Sequence, residues 1–89
     1  MSYRVEFSKA AIKELKKLDR VTASMITGWI RKNLGGCSDP RAHGKALVAN
    51  HQGKWRYRVG DYRILAVIQD DRVLILVVHI GHRSSVYGL

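Results

Sequence analysis

The stretch KWRYRVGDYR, residues 54 to 63, alternates cations with apolar side chains. On a strand, Lys54, Arg56 and Arg58 share one face, and Trp55, Tyr57 and Val59 share the other. Gly60-Asp61 has the form of a tight two-residue hairpin turn, which pairs Val59 with Tyr62 and sets Arg58 directly opposite Arg63. Like charges directly opposite are destabilising in a sheet. Folding alone therefore gives no reason for four cations on one face. Residues two apart on a strand lie about 6.5–7 Å apart, close to the spacing of successive phosphates on an extended nucleic-acid strand. Arg63 shares its face with Leu65 and Val67, so it belongs where the apolar part of the sheet meets solvent. Positive potential can be focused at such an edge. The chemistry expected there is anion binding.

A second cluster follows the last strand, in GHRSSVY. His82, Arg83 and Tyr87 place a general acid or base, an anion clamp and a phenol within six residues. Strict alternation puts His82 on the Arg63 face and Arg83 on the other, unless Gly81 breaks the register through a bulge. A third group, Lys9, Lys13 and Lys16, recurs on one face of the first helix. It reads either as a solvated face or as a contact for a polyanion.

The elements that must position these groups are legible from periodicity. Tyr3 to Phe7 alternates apolar and charged residues as a short strand does. Ser8 stands where an N-cap belongs. From Lys9 the period becomes helical, with Ala11, Leu15 and Leu18 as the apolar stripe. A second helix is predicted from about Val21 to Leu34, capped by Asp19 or Thr22. Met25, Ile26, Trp29, Ile30 and Leu34 line its buried side, and Gly35-Gly36 ends it. Residues 35 to 53 contain Pro40 and four of the eight glycines, which predicts a loop with at most a turn around Ala46 to Ala49. Three strands follow: Lys54 to Val59, Tyr62 to Gln69, and Arg72 to Ile80, the last two joined by a turn at Asp70-Asp71. His43 and His51 fall in the loop, Trp55 reads as a packing residue, and His79 reads as structural. The order predicts one α+β domain over residues 1–89, an αα-hairpin packed on a sheet made of the N-terminal strand and a three-stranded antiparallel meander.

Sixteen Lys/Arg against seven Asp/Glu give a formal charge of +9. So basic a chain favours a polyanion such as nucleic acid, an acidic protein or an anionic membrane as partner. The longest apolar run, Val73 to Val78, is far too short to span a bilayer, and Arg4 and Glu6 interrupt the N-terminus before a signal peptide could form. A single cysteine, Cys37, makes no internal disulfide, so a cytoplasmic setting is expected. Cys37 and the four histidines lack the paired spacing of a metal site, and no cofactor is expected.

YRVEFSKAAIKELKKLD, DPRAHGKAL, WRYRVGDYRILAVI and VVHIGHRSSVY, in this order, resemble the RelE/ParE superfamily of toxins from type II toxin–antitoxin systems. The resemblance covers nearly the whole chain. It implies a RelE-like fold and favours the branch whose members are mRNA interferases, ribosome-dependent endoribonucleases that inhibit translation. The family's cleavage arginines and C-terminal tyrosine map to Arg63, Arg83 and Tyr87, and its basic hairpin positions to Arg56 and Arg58. Arginine keeps its proton at neutral pH, so positions 56 and 58 serve to position the strand. Lys54 joins them as an RNA contact. His82 is the reserve acid–base group. The implied partners are mRNA on the ribosome and a cognate acidic antitoxin, in a toxin–antitoxin hetero-oligomer. Two other readings are a ParE-like noncatalytic inhibitor of DNA gyrase and a basic nucleic-acid-binding module without chemistry.

Overall fold

Ser8 turns the chain from strand to helix, and its hydroxyl shows how. Its Oγ accepts from the Ala11 N–H at 3.1 Å and donates to the Val78 carbonyl at 3.0 Å. One side chain thus caps the helix and ties its start to the last strand. In this computed structural model, which describes residues 1–47 and 53–84, the elements are β1 (Arg4–Phe7), α1 (Lys9–Lys16), α2 (Arg20–Asn33), β2 (Lys45–Ala46), β3 (Trp55–Val59), β4 (Tyr62–Gln69) and β5 (Leu74–His82). Asp19, not Thr22, caps α2, accepting from the Thr22 N–H at 3.1 Å. Past the end of α2, Gly36 takes a φ of 77° and its N–H donates to the Tyr3 carbonyl at 2.9 Å.

The sheet runs β1-β5-β4-β3-β2, with β1 parallel to β5 and every other pair antiparallel. It is α+β, as expected, with β2 as an unexpected fifth strand. This strand is only two residues long, pairing Lys45 with Arg56 and Ala46 with Trp55. Composition could not reveal it, because a span of two residues leaves no alternation to read.

Both helices pack on one face. Ala11, Ile26, Ile30 and Leu34 meet Tyr57, Val59, Ile64, Ala66, Ile75, Val77 and Ile80 there. Met25, expected in this core, is 45% exposed. The hairpin register is the predicted one, with Val59 opposite Tyr62 and Arg58 opposite Arg63 across Gly60 at φ 60°. The second turn is longer than predicted. A short 3-10 turn, Asp70–Arg72, leads to Val73 in the left-handed region at φ 49°, so β5 starts at Leu74 and extends to His82.

The decisive irregularity is in β5. Leu65 pairs with His79 but Ala66 pairs with Val77, so Val78 is an extra residue in a bulge. A bulge reverses which side chains face which side beyond it. Glu14, reaching from α1, fixes this segment: its Oε1 accepts from the Ile80 N–H at 2.9 Å and lies 3.5 Å from His79 Nδ1.

Candidate functional site

The bulge decides which tail residues join the cationic face. After it, Gly81 stands opposite Arg63 and His82 opposite Tyr62. His82 is therefore on the helix-side face, the reverse of its expected placement, because the register breaks at Val78 and not at Gly81. Its ring meets Tyr62 edge-on at 5.4 Å, and its Nδ1 lies 2.8 Å from Ser84 Oγ. Arg83 follows two residues after Gly81, and its N–H donates to the Asp61 carbonyl of the hairpin turn at 2.8 Å. The second arginine of the expected site is thus anchored beside the first. Tyr87 lies outside the described residues.

On the face itself, Arg58 is exposed, whereas Arg56 and Arg63 are half-buried. Burial, and then Arg63 and Arg58 beside it, lower the Arg56 pKa from its ordinary value. Desolvation and like-charge neighbours both oppose a cation. Among the described residues no carboxylate pairs with Arg56 or Arg58. A cluster so arranged attracts anions and restrains them in a set geometry.

Other expected members stand apart. Lys9, Lys13 and Lys16 are exposed on α1, whose core residue Ala11 packs on the helix side of the sheet, so a sheet layer separates them from the hairpin cations. Lys54 lines a small recess with Arg41, Trp55 and Ile68, at the end of β3 away from the hairpin turn.

Several residues that hold the loop to the far end of the sheet carried no local signal. Arg41 makes a two-point pair with Asp70, 3.0 Å from Nη1 to Oδ1 and 2.9 Å from Nη2 to Oδ2. The Tyr3 hydroxyl donates to the same carboxylate at 2.6 Å. Arg41, and then Tyr3, hold the Asp70 carboxyl at about 2, below the usual carboxylate range. Next along the loop, the buried Tyr57 hydroxyl donates to the Pro40 carbonyl and Trp55 Nε1 to the His43 carbonyl, each at 2.6 Å. Gly44, at φ 76°, passes so close to β3 that a Cβ would collide with the Arg56 carbonyl oxygen. The loop is strapped to the sheet, and its pieces are too far apart in sequence for any short-range pattern to announce them.

A family model described as ParE toxin of the type II toxin–antitoxin system parDE matches residues 5–87. The chain belongs to the RelE/ParE toxin superfamily. This toxin is 30% identical to toxin RelG of Mycobacterium tuberculosis over 87 residues, 98% of each chain. Its fold matches the toxin–antitoxin complex RelBE2 of the same organism with a TM-score of 0.85, at 26% identity over 94% of each chain. The archaeal RelE–RelB complex of Pyrococcus horikoshii matches at a TM-score of 0.69, with 24% identity over 93% of this chain and 97% of that one, and so bears on fold alone. No helix of the toxin, among the described residues, is long and apolar enough to cross a membrane.

Proposed function

We propose that this type II toxin is a ribosome-dependent endoribonuclease that cleaves mRNA, and that an acidic antitoxin neutralises it. The observation that carries this reading is the Arg58–Arg63 pair on a face with no carboxylate pairing Arg56 or Arg58 among the described residues, with Arg83 tied beside it by the bulged end of β5. A fold that sets arginines against each other gains from a bound phosphate what it loses by their repulsion.

In the metal-free reaction the ribose 2′-oxygen attacks the adjacent phosphorus and the bond to the 5′-oxygen breaks. The products are a 2′,3′-cyclic phosphate and a 5′-hydroxyl. One proton leaves the 2′-hydroxyl and one reaches the departing oxygen. Negative charge builds on the phosphoryl oxygens in between, and fixed cations stabilise it most where water is sparse. Half-buried Arg63 is assigned this role. Arg56 and Arg58 position the strand, and Arg83 contacts the scissile phosphate and the leaving oxygen. Tyr87 accepts from or orients the 2′-hydroxyl. His82 faces away from the arginines and is engaged with Ser84.

The antitoxin reading is supported by the charge of +9 and by the RelBE2 relative, solved as a toxin–antitoxin complex. An acidic segment folding onto the cationic face would remove the site from RNA. The family model's ParE description favours a second reading, noncatalytic inhibition of DNA gyrase. Expression from a tightly repressed promoter, with mapping of mRNA 5′ ends, separates the two. Codon-phased cuts are expected; intact mRNA with DNA damage would leave the gyrase reading in place.

A further inference from the structure

Because β2 begins only at Lys45, the outer edge of β3 has no strand partner among the described residues from Tyr57 to Val59. A cavity of about 430 Å³ opens there, lined by Trp29, His43, Gly44, Lys45, Arg56 and Arg58. That volume lies within the range of small-molecule sites. Its chemistry is mixed in a particular way. Lys45, Arg56 and Arg58 supply positive charge, and no carboxylate is among the lining residues. The aromatic side is built in layers: the His43 ring stands edge-on to Trp29 at 5.7 Å, and Trp29 in turn packs on Tyr57 at 5.8 Å. Cations beside a stackable ring are what single-stranded RNA needs, one for the backbone and one for the base.

The loop that brings His43 and Lys45 here is preset. The His43 carbonyl is held by Trp55, Gly44 sits against Arg56, and Arg41 is locked to Asp70. The rungs also measure out a strand of RNA. Arg58 pairs with Arg63, and two residues along β3 Arg56 pairs with Lys45. Those two rungs are about 6.5–7 Å apart, one nucleotide of extended backbone. A phosphate at the first rung puts its neighbour at the second, with the attached base free to turn over the edge of β3.

We propose that His43, Lys45 and Trp29 form a subsite for the nucleotide flanking the scissile phosphate. Lys45 and Arg56 hold its phosphate, and its base stacks on His43 inside the cavity. The assignment rests on the RNA-cleaving reading for the identity of the first rung. Its test is made without cleavage.

The probe is a single-stranded 2′-O-methyl RNA hexamer, which cannot be cut by 2′-oxygen attack, compared with hexamers carrying one abasic nucleotide at each position in turn. For the full-length toxin, one abasic position is expected to lower affinity by roughly 5- to 100-fold, the range for losing one stacked base. His43→Ala should lose a similar factor on the intact hexamer and nothing further on that abasic one, since coupled partners are not additive. Lys45→Ala should weaken every hexamer and reduce the salt slope by roughly 0.7–1. Wild-type affinity in both variants, additive losses at every abasic position, or no binding of any hexamer would each overturn the subsite. Coupling together with intact mRNA in cells would retain the subsite and remove the nuclease reading. Cleavage in cells without coupling would remove the subsite alone.

Discussion

Arg41 and Arg58 are both exposed guanidinium groups at the margins of one sheet, but their surroundings are opposite. Arg41 has a carboxylate matched to both of its terminal nitrogens, with a phenol completing the group. Arg58 has another arginine across the strand pair and, among the described residues, no carboxylate. A matched charge holds the chain to itself. An opposed charge is kept in place by the fold and is available to a ligand from outside. The toxin therefore divides its basic residues into those that build the molecule and those that the molecule presents.

The comparison breaks most visibly at Arg63. Arg63→Ala is expected to lower single-turnover cleavage on programmed ribosomes by roughly 10²–10³-fold, the usual cost of one preorganised oxyanion partner. Arg41→Ala, by contrast, should lower the melting midpoint, because it breaks a two-point carboxylate pair. Turnover of Arg63→Ala within a few-fold of wild type would take it out of the site.

Glu14 extends the comparison to an acidic residue. Its carboxylate accepts from the Ile80 N–H beyond the bulge, so it maintains the register that delivers Gly81 and Arg83 to the hairpin. Glu14→Ala leaves that N–H without its acceptor and should cost about 1–3 kcal/mol, seen in urea unfolding, with cleavage falling alongside. Glu14→Gln keeps an acceptor oxygen and should restore most of both. If Glu14→Gln behaves like Glu14→Ala, the carboxylate charge beside His79 matters more than the Ile80 bond.

What the sequence disclosed follows the same division. The hairpin register, the Ser8 cap and the cationic face were readable because each is written in neighbouring residues. The β5 bulge was not. LILVV, residues 74 to 78, is apolar throughout, since Leu74 and Ile75 are buried on opposite faces of the sheet, and a strand buried on both sides has no alternation to betray a slip. Arg41 and Asp70 lie 29 residues apart, Tyr3 and Asp70 67 apart, and no short window contains either pair. His43 gave no sign of a role because its place in the cavity depends on the bond from Trp55, 12 residues away, to its carbonyl.

The strap has a pH signature. Arg41 and Tyr3 hold the Asp70 carboxyl at about 2, below its ordinary 3.8. A group whose folded value is depressed stabilises fully above its unfolded value and loses that effect as pH falls through the folded one. Asp70→Asn should therefore melt a few degrees below wild type at pH 7, a difference that shrinks below about pH 4 and vanishes near pH 2. A difference that persisted at pH 2 would mean that the hydrogen bonds, not the charge, secure the loop.

The smallest expected effect tests the other half of the comparison. Arg58→Thr exchanges one member of an opposed pair for a β-branched neutral residue suited to a strand. Relief of a like-charge cross-strand pair is worth roughly 0.2–1 kcal/mol, so the variant should be slightly more stable than wild type. That gain should itself fade as salt rises, because exposed charges are screened beyond about 8 Å at physiological ionic strength. The same substitution removes one phosphate contact and should weaken RNA binding without regard to sequence, with a salt slope shallower by roughly 0.7–1. Stability and binding then move in opposite directions from a single change. Unfolding in urea and hexamer binding, both measured across a salt series, resolve the two effects. A variant that lost stability would show that Arg58 has a native partner, and the face would then belong with Arg41 among the residues that build the fold.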